Sequence, residues 1–122
     1  MSHITRIATR MVERELIEVA ARHLGFSVTD GPTTVHDDAG RAQSVDFKID
    51  SRPYALGFAR TESGFEAVGD LMGGTSETLQ RLQQHYARAA TLRQLEEQGF
   101  LVVEETAEDG TIRLTLERLV YA

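Results

Sequence analysis

The sequence predicts an α+β domain: a mainly antiparallel sheet with two amphipathic helices packed on one face. Three observations predict it. Leu24-Gly25-Phe26-Ser27-Val28 and Gln98-Gly99-Phe100-Leu101-Val102 each close a helix-like stretch and open a strand-like one, with Gly where a helix ends in a left-handed residue. Between these joints lie short alternating stretches separated by Asp-, Gly- and Pro-containing turns, the pattern of hairpins. Helices and strands do not alternate far enough for a doubly wound parallel sheet.

Ile4-Thr5-Arg6-Ile7-Ala8-Thr9 alternates apolar and polar and reads as a first strand. A helix follows over residues 12 to 24, with Val12, Leu16, Val19, Ala20 and Leu24 sharing an apolar face. Gly25 ends it, Phe26 and Val28 begin a second strand, and Asp30-Gly31-Pro32 turns the chain. Thr33-Thr34-Val35-His36 is strand-like, and Asp37-Asp38-Ala39-Gly40 has tight-turn composition. Residues 44 to 50 alternate throughout, which sets Val45, Phe47 and Ile49 on one buried side. After Ser51-Arg52-Pro53, residues 54–58 and 65–71 form a hairpin around Glu62-Ser63-Gly64.

Gly73-Gly74-Thr75-Ser76 is a flexible joint in which Thr75 or Ser76 is expected to cap the second helix. That helix runs to about Gln98, with Leu79, Leu82, Tyr86, Ala89 and Leu92 or Leu95 inward. Leu101, Val103, Ile112, Leu114 and Leu116 make a closing hairpin around Glu108-Asp109-Gly110, whose Asp-Gly pair suits a tight hairpin tip. Its partner face, like the outer face of residues 44–50, is polar, so the sheet is expected to hide no second core. Partners are then expected at a strand edge, the second helix's flank or the apolar tail Leu119-Val120-Tyr121-Ala122. The two Gly-Phe joints also suggest a pseudo-two-fold repeat.

At 122 residues the chain reads as one domain, residues 1–122. Without Cys there is no disulfide, thiolate metal site or cysteine nucleophile. The net charge of −6, with thirteen scattered basic residues, argues against nucleic acid. No apolar run is long enough for a membrane span and no signal-peptide segment is evident, so a cytoplasmic location is expected. Acid concentrates in Glu96, Glu97, Glu104, Glu105, Glu108 and Asp109, either as a solvated surface or as a docking surface for a basic partner.

One ordered set of residues spans the chain. It comprises Met1-Ser2-His3-Ile4-Thr5 with Ile7 and Thr9, Gly31-Pro32, Gly57-Phe58 and Asp70-Leu71. Gln84, Tyr86 and Ala87 follow, then Gln98-Gly99-Phe100 and Asp109-Gly110-Thr111-Ile112-Arg113-Leu114 with Leu116 and Arg118. In order and spacing this resembles the family of hypothetical chloroplast reading frame thirty-five, a domain of unknown function in plastids, cyanobacteria and other bacteria. The resemblance supplies no catalytic motif. It implies a subunit or adaptor, because bacterial members are often encoded beside an ATPase of the AAA class. The Val35-His36-Asp37-Asp38 hairpin is more acidic than the family pattern, so nothing is carried over to it.

No constellation of residues specifies catalysis, and neither a metal nor a cofactor is expected. His36, Asp37 and Asp38 are metal-ligand types, but they sit together in one turn without a helical His or Glu pair to complete a shell. Ser2 and His3 lack the strained elbow of a nucleophile; His3, with Thr5 nearby, is a candidate for a partner contact or small pocket. Gly73-Gly74 lacks the Lys and spacing of a phosphate loop. Gly57 and Gly69 mark sheet bending or a close approach of ligand or backbone. Arg81, His85 and Arg88 share a flank of the second helix as a candidate anion or partner surface. Tyr86 reads as core with its hydroxyl at the rim, and Arg113 joins the candidates on the hairpin's polar side. The expected function is a non-catalytic interaction or adaptor module, binding a protein partner or another copy of itself. The competing expectation is a small-ligand sensor with a pocket between the second helix and the sheet, near Gly57 and Tyr86.

Overall fold

The structure, a computed structural model, describes residues 4–37 and 39–118. His3 and the tail 119–122 therefore lie outside the described residues. The elements are β1 (Ile4–Ala8), α1 (Arg14–His23), β2 (Val28–Thr29), β3 (Thr33–His36), β4 (Ala42–Val45), β5 (Phe47–Ile49), β6 (Leu56–Thr61), β7 (Gly64–Asp70), α2 (Thr75–Glu97), β8 (Phe100–Glu108) and β9 (Thr111–Arg118). The fold is α+β, with all described strand pairs antiparallel. Five strands form the main sheet in the order β1-β7-β6-β5-β2, while β3-β4 and β8-β9 form separate two-stranded sheets.

Both helices cover the same face of the main sheet. Leu16, Ile17, Ala20 and Ala21 of α1, with Leu79, Leu82 and Tyr86 of α2, meet Phe47, Ile49, Leu56, Phe58, Phe65 and Ala67 from β5, β6 and β7. At the centre, Phe47 stacks on Phe58 with ring centroids 5.2 Å apart and meets Phe65 edge-on at 5.5 Å.

The predicted face of α1 is corrected. Val12 and Val19 are exposed, whereas Ile17 and Ala21 are buried. Glu13 is the N-cap, with extended backbone, so Val12 precedes the helix and cannot set its phase. Gly25 and Gly99 end the two helices at φ +86° and +85°, as the joints require. The joints then diverge: β2 is an edge of the main sheet, while β8 enters a separate one.

The start of α2 is also corrected. Neither Thr75 nor Ser76 caps it; Gly74 is the N-cap at φ +95°, and its carbonyl accepts from the Thr78 N–H and hydroxyl at 3.1 and 3.2 Å. Thr75 lies within the helix and is fully buried. The preceding loop is shaped by Asp70, whose Oδ1 accepts the Met72 N–H at 3.1 Å.

A second core does exist. Val35, Val45 and Val68 form a cluster with Ile4, Ala55 and Ala59 packed against it, separate from the helix-side core. Residues 44–50 are not one strand. At Asp46 the chain breaks from β4 to β5: the Asp46 N–H donates to the Phe58 carbonyl at 2.9 Å, and its carboxylate accepts the Arg60 N–H at 2.7 Å. Val45 is thereby separated from Phe47 and Ile49 and packs with the hairpin that covers the other sheet face. Gly57 makes room for that hairpin. A Cβ there would stand 2.6 Å from Val45 Cγ1 and 2.9 Å from Val35 Cγ1.

Candidate functional site

α2 positions every group of functional interest around it, because its three flanks meet three different neighbours. Leu79, Leu82 and Tyr86 enter the core. The Tyr86 hydroxyl oxygen accepts the backbone N–H groups of Val12 and Glu13 at 2.9 and 3.0 Å, holding the entry to α1. This ties a tyrosine at the core's rim to backbone donors that a helix start leaves without intrahelical partners.

His85 turns toward α1, where its ring lies 4.5 Å from that of His23. Its Nδ1 is buried and has no hydrogen-bond partner among the described residues. Burial, then the charges of His23 and Arg88, draw the His85 imidazole below its ordinary value of 6.5, with Glu105 pulling weakly the other way.

The remaining flank carries the β8–β9 ribbon. Gln84, Ala87, Arg88 and Thr91 face Ile112 and Leu114 across a groove of about 250 Å³. The Arg88 guanidinium makes a two-pronged ion pair with Glu105, and the Gln84 amide donates to the Gly110 carbonyl. The Arg88 hydrogen bonds hold the Glu105 carboxyl below its usual range. The flank expected to be an anion or partner surface is thus in part the seat of the hairpin. Arg81 stays exposed at the end of this groove, beside Glu77, Gln80 and Gly110.

The ribbon itself differs from the predicted hairpin. Ile112, Leu114 and Leu116 are the expected inward residues, yet Leu116 is 38% exposed, and Leu101 and Val103 of β8 are 48% and 52% exposed. The register explains the exposure of Leu101. Val102 pairs with Leu116, and after a bulge between Val102 and Glu104 the pairing resumes as Glu104 with Thr115 and Glu105 with Leu114. Val102 therefore shares the side of Leu114 and Glu105, and Leu101 falls on the opposite one, since neighbouring strand residues point to opposite faces. Among the described residues no third strand pairs with either edge of this ribbon.

A second concavity, of about 540 Å³, opens between α2 and the β1–α1 loop, with Arg10 and Gln83 at its polar side and Met11 and Tyr86 in its wall. Gly57 is not part of it. Its open side faces Val35 and Val45, whereas its neighbours Leu56 and Phe58 join the Tyr86 core.

Of the sequence candidates, α2 brings Tyr86, His85, Arg88 and Arg81 onto one element. Thr5 lies exposed on β1, paired with Gly69, and Arg113 lies on the ribbon's outer face opposite Thr106; neither joins the α2 group. Asp37 in the acidic turn is taken up by the N–H groups of Ala39 and Arg41, each at 2.9 Å, and by Arg41 Nε at 2.7 Å. Among the described residues no group of three or more His, Asp or Glu could hold a metal ion, and no helix is long and apolar enough to cross a membrane. Sequence reasoning missed His23, the outward Leu101 and Val103, and the pairing of Glu105 with Arg88.

Comparison with known proteins agrees with the resemblance read from the sequence. A family described as "Protein of unknown function (DUF1257)" matches residues 20–115. The uncharacterized protein ycf35 of Cyanophora paradoxa is 34% identical over 128 residues, covering 99% of this chain and 100% of that relative. No solved structure matches the chain.

Proposed function

This chain belongs to the DUF1257 family, and from that premise we propose that it is a non-catalytic interaction module whose docking element is the β8–β9 ribbon. One observation carries the reading: the ribbon stands apart from the main sheet, with no third strand on its edges among the described residues and an exposed apolar pair, Leu101 and Val103. Unpaired strand edges are templates for another chain, and soluble proteins ordinarily blunt them. Strands of nine and eight residues are long for an edge left free of purpose. The ATPase of the AAA class implied by the family resemblance is the first partner to test.

The test is affinity purification of the intact protein from its native host, with cross-links mapped onto the ribbon. A Leu101→Glu, Val103→Glu double variant is expected to lose the complex while its melting temperature stays near wild type. Cross-links confined to the main sheet, or a complex indifferent to these substitutions, would refute the reading.

A small-ligand sensor is the second reading, favoured by the cleft beside Arg10 and Tyr86. A ligand bound only by the folded state raises the melting temperature. A broad metabolite screen giving no shift that Arg10→Ala abolishes would remove it.

A further inference from the structure

We propose that the ribbon's occupant is an extended, basic segment of a protein partner, which adds as a third strand along the free edge of β8. This inference rests on the ribbon being a docking element. It adds the partner's chemistry.

Three observations select that chemistry. The first is shape. A two-stranded antiparallel ribbon with no third strand among the described residues offers backbone donors and acceptors in a row, which an extended chain satisfies and a helix does not. The second is the apolar pair. Leu101 and Val103 are about half exposed on β8, and alternate side chains of an added strand would cover them.

The third is charge. Residues 100–118 hold five carboxylates, Glu104, Glu105, Glu108, Asp109 and Glu117, against Arg113 and Arg118, a net of −3 out of the chain's −6. Arg88 neutralises Glu105 from α2, and Arg118 lies over the Phe100 ring at 5.4 Å. Glu117 is directly opposite Leu101, and Glu104 follows Val103, so carboxylates border the apolar pair on both strands. A second copy of this chain would bring these acids against its own, which costs affinity, whereas lysines or arginines alternating with apolar residues would meet both features at once.

The experiment uses the intact protein and three synthetic probes: a short peptide alternating lysine with valine, its glutamate–valine counterpart, and oligolysine. Titration by calorimetry is expected to show the lysine–valine peptide binding at least about tenfold more tightly than either other probe, with affinity falling as salt rises. Amide hydrogen exchange is expected to slow in β8 on binding. A Glu104→Lys, Glu117→Lys variant should lose about tenfold for the same peptide, while Glu15→Lys on α1 should leave it unchanged. Equal binding of the glutamate–valine peptide or of oligolysine, protection confined to another element, or concentration-dependent dimerisation through the ribbon would each overturn the proposal. The two readings separate in the host complex. Loss with Leu101→Glu, Val103→Glu but indifference to charge reversal and salt would keep the docking element and remove the basic partner.

Discussion

Gly57 shows how one absent side chain organises two layers. Val45 Cγ1 and Val35 Cγ1 already occupy the space in which its Cβ would stand, and both belong to a packed cluster with little room to shift. Gly57→Ala is therefore expected to lower unfolding stability by about 1–3 kcal/mol, the usual penalty of overpacking, measured by urea denaturation. A variant as stable as wild type would show that the β3–β4 hairpin rides loosely on the sheet. The sequence marked Gly57 as a bend or a close approach without saying what approaches, because Val35 and Val45 reach it only through tertiary packing. His85 gives a second test at this scale. Its imidazole is drawn below 6.5 in the folded protein, chiefly by burial, so the unfolded chain binds the proton more readily. Its contribution is fully present above that pH and is lost as pH falls below it. Melting temperature should thus decline on acidification from pH 7.5 to 5.5, and His85→Phe should reduce that dependence. A dependence unchanged in the variant would assign it to another group.

Among elements, α1 tests how far periodicity carries. Its existence and its end at Gly25 were legible, because an apolar stripe and a left-handed glycine are local signals. Its inward face was not, because Val12 and Val19 extend the stripe on one side while Ile17 and Ala21 extend it on the other, and both sets satisfy the helical period. Packing against Phe47 and its neighbours selects the second set. The two sets make opposite predictions. Ile17→Ala should cost about 2–5 kcal/mol, as expected for truncating a fully buried aliphatic side chain. Val19→Ala should stay within about 0.5 kcal/mol, as for a surface position. Chemical denaturation of the pair reads the difference directly, and equal losses would mean that α1 is rotated from the orientation described. The β8–β9 register has a comparable origin. Strand identity and the Asp109-Gly110 turn were legible, but the bulge between Val102 and Glu104 shifts the pairing by one residue, and such a shift exchanges the faces of everything beyond it.

At the scale of the molecule, the same antiparallel alternation serves two kinds of sheet. Phe65 and Ala67 of β7 enter the helix-side core and Val68 enters the cluster on the opposite face, so the middle of the main sheet is covered on both sides. The ribbon has α2 on one side, held through Ile112, Leu114, the Arg88–Glu105 pair and Gln84, with Leu101 and Val103 uncovered on the other. Alternation announces both as strands, yet which strands join depends on contacts far apart in the chain. That is why the sequence suggested one sheet where the described residues form three. The difference in cover has a dynamic consequence. Local opening follows the least buried hydrogen bonds, and segments with few apolar contacts open well below the free energy of global unfolding. Native-state hydrogen exchange should accordingly divide the protein into two tiers: β6 and β7 amides exchanging only through global unfolding, and β8 and β9 amides through a cheaper local opening that leaves the helix-side core intact. The Arg88–Glu105 pair is part of what holds the ribbon shut, so Arg88→Ala should speed exchange in β8 and β9 and leave β6 and β7 nearly unchanged. If the ribbon amides instead exchange in step with the central strands, the ribbon opens only with the whole fold, and a partner must then recognise its edge as a fixed surface.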